Sequence, residues 1–528
     1  MKRRELLKGL GMTAGALLYT PASRAAAQES RRTSTEEKFA TPVRALVRRR
    51  GVLLQPITLT LPGEQAAAAT LRIDDQVVQS DRISRDGSMN GDTFELFVPA
   101  VSAPRQIVLS VEANGTTRSQ NVIVKPVREV LTYILPMSHH DLGYTDLQAN
   151  VEDKQARNVA LGMELARMTA AYPEGSRFIW NLEALWGVDL FLQRRSEAER
   201  AELIEAIRRG QVALSGSYAN ELTGLCRSEE LLELFRFGTQ LGQEAGIRVD
   251  SAMMSDVPGF TWGTVTAMAQ AGIRYFSAAP NYFDRIGTFM VEWQDKPFWW
   301  VSPCGQEKVL VWVPWTGYAM SHLNQPGPDW VTRYQDRLDE VGYPYDISHI
   351  RWSGHGDNAY PDPEICEFAR AWNETYEWPR FAIAWTSTAF AAMEKKYGSQ
   401  LPTFRGDLTP YWEDGAGSSA LETGISRNAA DRLTQAEALL AMKSPASYDA
   451  SAFRAAWRDV LMYSEHTWGA WCSVSDSEIP FTKDQWAFRE IRSDPLFRRT
   501  IKPVPLSGTD PPDRRHVPAV PSFQQAGV

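Results

Sequence analysis

Two imidazoles and a carboxylate leave the end of one apolar run together. The run is Glu129-Val130-Leu131-Thr132-Tyr133-Ile134, β-prone in composition. It leads into Leu135-Pro136-Met137-Ser138-His139-His140-Asp141-Leu142-Gly143-Tyr144. On an extended chain residues i and i+2 face the same way, so His139 and Asp141 can share one ion. Neutral imidazole with carboxylate suits a borderline divalent cation such as zinc. Taken alone, His-x-Asp reads more readily as a capped turn with exposed histidines. Three further positions change that balance. Asp256 follows Met253-Met254-Ser255 and precedes Val257-Pro258-Gly259-Phe260. Asp357 sits in the glycine-containing stretch Trp352-Ser353-Gly354-His355-Gly356-Asp357-Asn358. His466 sits in Tyr463-Ser464-Glu465-His466-Thr467-Trp468-Gly469, near the end of a helical pattern. In α/β proteins the carboxyl ends of strands are where ligands sit.

The elements that must position these residues change texture at about residue 129. From Val52 to about Val127, short alternating runs recur between turn residues: Ile57–Leu61, Ala69–Ile73, Thr93–Val98, Gln106–Val111 and Ser119–Val124. This is the pattern of a small antiparallel β-sandwich, spanning 46–128, with no catalytic constellation of its own. From Leu131 strands alternate with helices. Strands are expected at Phe178–Trp180, Val212–Gly216, Ala252–Met254, Tyr275–Ser277, Val309–Val313 and Phe381–Trp385. Helices are expected at Glu197–Gly210, at Ser228–Ala245 with Ser228 as cap, and at Gly263–Gly272. Repeated βα units imply a parallel sheet or barrel with helices outside, here over 129–405. Helices at Asn428–Met442 and Asp449–Glu465 then define a helical subdomain over 406–500. An extended proline-rich tail follows over 501–528.

The amino terminus sets the expected compartment. Met1-Lys2-Arg3-Arg4-Glu5-Leu6-Leu7-Lys8, a mild apolar run and Ala25-Ala26-Ala27 resemble a twin-arginine export signal over 1–27. A polar leader follows over 28–45. The apolar run is too short to span a bilayer, so the expected location is periplasmic or secreted, with no membrane span. Twin-arginine passengers cross folded, which fits a protein that takes up its metal before export. A net charge of −8 argues against nucleic acid as partner. Cys226, Cys304, Cys366 and Cys472 lie far apart without a CxxC pair, which argues against a disulfide scaffold or a cysteine zinc site. The count of 18 tryptophans leans toward sugar stacking, hence a carbohydrate partner. Nothing in the sequence addresses oligomeric state.

The order of the polar residues resembles glycoside hydrolase family 38, the metal-dependent retaining α-mannosidases, over about residues 130–470. Met137-Ser138-His139-His140-Asp141-Leu142-Gly143 is similar to the strand end His-Ser-His-Asn-Asp-Pro-Gly of that family. Asp256 with Gly259, before Ala271-Gly272-Ile273, is similar to its Asp-x-x-Gly nucleophile turn. Gly356-Asp357 is similar to its Gly-Asp-Gly loop. Gly406-Asp407-Leu408, Ser418-Ser419 and Arg427-Asn428 are similar to its Gly-Glu-Leu, Thr-Ser and Asn-Arg run, and His466 to its closing histidine. The resemblance implies a (β/α)7-type barrel. It also implies one divalent ion, zinc, held by His139, Asp141, Asp256 and His466, with Asp256 as nucleophile and Asp357 as general acid. The departures are Met137 for the first family histidine, Ser255 and Val257-Pro258 around the nucleophile, Glu465-His466 for His-Asp, and no large C-terminal β-sandwich region.

The chemistry stands beside the resemblance. A retaining glycosidase needs a carboxylate nucleophile and a carboxylic acid as proton donor. A cation beside the nucleophile keeps it ionised and can bind two vicinal hydroxyls. Asp357, away from the ion in a partly apolar loop, is expected to have a raised pKa. Glu183, Tyr218, Glu221 and Asp414 lie at expected loop mouths and are candidate substrate contacts or structural hydrogen-bonders. His322, His349 and His516 are expected to be structural or exposed. The alternatives are a metal-dependent polysaccharide lyase or deacetylase, or a non-catalytic glycan-binding protein. A deacetylase would want an Asp-Asp strand end, which does not occur, and a His-x3–5-His pair; His349 and His355 have about that spacing but straddle an expected strand.

Overall fold

The computed structural model describes residues 39–61, 70–78, 81–85, 92–113, 116–281 and 289–493. The expected signal, most of the leader, the tail and His516 lie outside these residues. Two compact units divide the chain, one of Met1–Val43 and Val52–Pro126, the other of Arg44–Gly51 and Val127–Val528. The strands, in chain order, are β1 (Ala40–Pro42), β2 (Val47–Arg49, in the second unit), β3 (Val52–Leu61), β4 (Thr70–Ile73), β5 (Gln76–Val78), β6 (Asp81–Arg85), β7 (Asp92–Pro99), β8 (Arg105–Ala113) and β9 (Thr116–Val124).

The first unit is two antiparallel sheets, ordered β1-β3-β7-β6 and β5-β4-β8-β9. Alternation decides which face is inside. Ile57, Leu59 and Leu61 of β3, Leu96 and Val98 of β7, Ile107, Leu109 and Val111 of β8, and Val122 and Val124 of β9 form one apolar cluster.

The second unit carries β10 (Leu131–Pro136), β11 (Trp180–Leu182), β12 (Val212–Leu214), β13 (Ser251–Ser255), β14 (Tyr275–Ala279), β15 (Phe298–Val301), β16 (Lys308–Trp312), β17 (Ile347–Trp352), β18 (Arg380–Ile383) and β19 (Thr403–Phe404). The expected barrel is not closed. Among the described residues the strands pair as three sheets, β17-β10-β18, β11-β12 and β13-β14-β16-β15-β19. Pairing is parallel except that β15 runs antiparallel to β16. The physical reason is visible at the seams, where β11 and β12 are only three residues long and side chains stand in for ladder bonds. Asn181 donates to the Ala384 carbonyl at 3.0 Å and accepts from Thr386 N at 3.1 Å. Ser215 Oγ accepts from Met253 N at 2.9 Å. Arg351 Nε donates to Ser277 Oγ at 2.9 Å, linking β17 to β14.

Element boundaries shift in instructive ways. The strand expected at Phe178–Trp180 starts at Trp180, because Phe178 N is taken by Thr169 Oγ1 at 2.8 Å instead of a ladder partner. The helix Ser228–Ala245 has the expected span, but Arg227 caps it, with Arg227 N donating to Glu230 at 3.1 Å. Strong apolar periodicity places Trp330, Val331, Tyr334 and Leu338 on the buried face of the helix Pro328–Glu340, which sequence pattern alone did not mark. The helix expected from Asn428 begins at Ala420. It packs on the helix Ala450–Ser464 through Ala429, Ala430, Leu433, Ala456, Trp457 and Val460. None of the described helices is long and apolar enough to cross a membrane.

Candidate active site

The site lies at the carboxyl ends of β10, β13 and β17. Past β10, Met137 N still reaches the Trp352 carbonyl of β17 at 2.8 Å. The chain then turns, and Asn358 pins the turn. Its amide donates to the His139 carbonyl at 3.0 Å, and its side-chain oxygen accepts from Asp141 N at 3.1 Å. Asn358 has φ of 50°, a region that asparagine tolerates better than most residues. His140 turns the other way: Nδ1 meets the Ser138 carbonyl at 2.8 Å and the ring packs edge-on to Trp186. Only the first imidazole of the pair therefore points inward.

Asp256 follows β13 at φ of 63°. Its turn needs glycine at 259, where an added Cβ would lie 1.7 Å from the Leu408 carbonyl oxygen. Phe260 and Leu408 exchange backbone hydrogen bonds there, and Trp262 N donates to Asp407 at 2.6 Å. The Asp-x-x-Gly turn and the Gly406-Asp407-Leu408 stretch thus hold one another. His466 enters from the end of the helix Ala450–Ser464, its amide donating to the Asn220 carbonyl at 2.8 Å.

These four residues converge. Asp141 Oδ1 is 3.1 Å from His139 Nε2 and 3.3 Å from His466 Nε2. Asp256 Oδ2 is 3.7 Å and 3.3 Å from the same two atoms. One ligand atom from each residue lies within 4.8 Å of the others. Both imidazole Nε2 atoms are buried without a hydrogen-bond partner. The opposite ring nitrogens are occupied by wholly buried glutamates, Glu183 on His139 Nδ1 at 3.3 Å and Glu465 on His466 Nδ1 at 2.6 Å. A carboxylate on the outer nitrogen fixes the ring and makes the inner one a better ligand. The donor set and the two orphaned Nε2 atoms fit a divalent cation. Burial opposes charge on Asp256, but the close approach of the His139 and His466 imidazoles outweighs it and holds the carboxyl well below its ordinary range.

Asp141, Asp256 and His466 border a cavity of about 590 Å³, with His139 buried behind them. Tyr318 donates to Asp256 Oδ1 at 2.9 Å, as does Asn281. Asp357 lines the cavity with about a third of its side chain exposed, 4.0 Å from His322 Nδ1. Burial, and then the charges of Asp141 and Asp256, push its carboxyl up to about 7. Trp412 stacks parallel to His466 at 6.4 Å and, with Tyr144 and Trp468, gives the cavity aromatic walls.

Of the four candidate substrate contacts, only Asp414 lines this cavity. Glu183 is fully enclosed and serves His139, His140 N and Arg351 instead. Tyr218 donates to Asp189 at 2.8 Å in a separate crevice, and Glu221 is wholly buried. His349 is structural as expected, packed on Trp312. His322 is not, since it lines the cavity. The residues that sequence reading missed are Glu465, Asn281, Tyr318 and His322. Glu465 had a signal, a carboxylate adjacent in sequence to a ligand histidine. Asn281, Tyr318 and His322 belong to no motif, and only the fold brings them in.

The model of the family described as Glycosyl hydrolases family 38 N-terminal domain matches residues 129–411. Among solved structures the chain is similar to an alpha-mannosidase from Enterococcus faecalis V583. They share 18% identity and a TM-score of 0.52, over 70% of this chain and 42% of that one. It is also similar to a glycosyl hydrolase family 38 protein from Enterococcus faecalis, with 14% identity and a TM-score of 0.48, over 70% of this chain and 39% of that one. The chain therefore spans about two fifths of the length of these structures. No curated protein matches it.

Proposed function

The chain belongs to glycosyl hydrolase family 38, and from that premise we propose that it is a metal-dependent retaining glycoside hydrolase of α-mannosidase type. One observation carries the reading: two buried, unpartnered imidazole nitrogens face two carboxylates at the wall of an aromatic-lined cavity. His139, Asp141, Asp256 and His466 would hold one divalent ion, zinc by the ligand chemistry. Once bound, that ion supplies positive charge beside the nucleophile and an anchor for vicinal sugar hydroxyls.

The remaining work falls to the chain. Asn281 and Tyr318 orient the Asp256 carboxyl by donating to Oδ1, and Oδ2 faces the two imidazoles as the metal ligand, so Oδ1 is the oxygen that attacks the anomeric carbon. A bond forms between that oxygen and the anomeric carbon as the glycosidic bond breaks. Asp357, kept protonated up to about pH 7, gives its proton to the departing oxygen. In the second half it takes a proton from water, whose oxygen displaces Asp256 with net retention. Tyr144, Trp412 and Trp468 offer apolar faces to the sugar, and Asp414 a hydroxyl contact.

A panel of aryl glycosides and polysaccharides, assayed with and without chelator, tests this. The expected result is chelator-sensitive release of reducing sugar with retained anomeric configuration. Release of acetate, an unsaturated product, inversion, or binding without turnover overturns it. Residues 1–27 are read as a twin-arginine signal delivering the protein to the periplasm or beyond. Replacing Arg3 and Arg4 together by lysine should stop that delivery, and unchanged periplasmic accumulation would reject the reading.

A further inference from the structure

We propose that the chain has a second, buried divalent-cation site, formed by Glu221, Cys226 and Glu230. One ligand atom from each lies within 4.8 Å of the others. Glu221 is wholly enclosed, and neither of its carboxylate oxygens has a hydrogen-bond partner. Glu230 is also buried. Its Oε1 accepts from Ser464 Oγ at 2.7 Å and its Oε2 from Arg227 N at 3.1 Å, so its orientation is fixed. Cys226 precedes the capping residue of the helix Ser228–Ala245.

These are three acids with no ion-pair partner among the described residues. Burying two carboxylates side by side is costly unless something neutralises them. Protonation is one answer, and burial pushes Glu230 up to about 7 and Glu221 well above its ordinary range. Protonation still leaves the Glu221 hydroxyl without an acceptor and its other oxygen without a donor, at a cost for each. A divalent cation would offset the two carboxylate charges and give Glu221 a partner, and it would favour the thiolate form of Cys226. Thiolate with carboxylate selects a borderline ion such as zinc over magnesium or calcium. The cysteine spacing, which lacks a CxxC pair, could not point here, because the partners are carboxylates.

The site would be structural. Glu221 pairs through its backbone with Glu465. Its neighbour Asn220 accepts from His466 N and donates to Glu183 at 3.0 Å. Fixing the 221–230 segment therefore fixes the supports of both inner imidazoles.

Cobalt(II) loading of the purified full-length protein tests the proposal without relying on any variant. The first centre contains no sulfur. The expected result is two cobalt equivalents per chain and a thiolate-to-cobalt charge-transfer band in the near ultraviolet. Cys226→Ser should lose the band and one equivalent, and Glu221→Gln should lose one equivalent. A variant with His139→Ala and His466→Ala should lose the other equivalent and keep the band, so the two sites fail separately. A wild-type protein without the band overturns the proposal, and so does a band that survives Cys226→Ser. One equivalent with the band supports this site while sinking the first.

Discussion

Two buried clusters, joined through the Glu221–Glu465 backbone bridge, differ in how they would stand without an ion. At the first, two imidazoles offset two carboxylates, and only the inner ring nitrogens lack partners. At the second, two carboxylates and a thiol cluster with no ion pair of their own among the described residues, and neither oxygen of Glu221 has a hydrogen-bond partner. The opposed imidazoles and carboxylates leave little unbalanced charge at the first centre when no ion is bound. The second depends on being filled, as a structural site does. The lesson is that ligand count alone does not separate the two roles, whereas the charge left over when the ion is removed does.

Four changes would break or sharpen that contrast. The largest effect is expected from Asp256→Ala, which removes the proposed nucleophile and a proposed ligand together. Turnover should fall by about four orders of magnitude or more on every substrate, with loss of one metal equivalent and no change in the Cys226 charge-transfer band. Loss of the band as well would mean that the clusters are one unit. Next is Asp357→Ala, which should keep both metals and lose about two to four orders of magnitude on natural glycosides. Substrates with good leaving groups need little protonation, so their first step should survive, and azide should partly restore turnover. A proton donor raised to about 7 is protonated below that pH and loses its proton as pH rises through it. The alkaline limb of kcat/KM should therefore fall near 7 in the wild type and vanish in the variant. A limb unchanged in the variant assigns it elsewhere.

Glu465→Gln tests the outer shell. It replaces the carboxylate on His466 Nδ1 with an amide and should weaken first-centre metal affinity about tenfold to a hundredfold, read by competition with a chromogenic chelator. Wild-type affinity would show that the ring is held by packing alone. The smallest effect is expected from Tyr218→Phe. Its hydrogen bond to Asp189 should be worth about 1 kcal/mol of stability, read by denaturant unfolding, with turnover unchanged. A clear loss of kcat/KM would extend the active site into that crevice.

What the sequence disclosed follows from periodicity and local order. His139 and Asp141 were legible because two residues on an extended strand share a side, and β10 does end at Pro136. Asp256, Asp357 and His466 were legible only as an ordered set, since each alone has a dull reading. The outer carboxylates were not legible as such. Glu183 falls at a strand end in sequence, which suggests a loop mouth, yet Arg351, Ser255 and Asn220 wall it in from three other elements. Glu221 was misplaced for the same reason, because burial is a property of neighbours distant in sequence. The closed barrel was over-read, since regular βα alternation does not encode where a strand is too short to complete a ladder.

The seams between the sheets carry a consequence for how this scaffold tolerates change. Where a ladder is continuous, main-chain groups bind strand to strand, and the side chains are free to vary. At Asn181 the join is a single carboxamide that donates to Ala384 and accepts from Thr386 N. Asp has nearly the same shape, but its carboxylate can only accept, so it would turn an oxygen toward the Ala384 carbonyl. Loss of that one side-chain amide would thus remove the donor that the Ala384 carbonyl relies on at this join. The tolerance of the architecture is set there by one side chain.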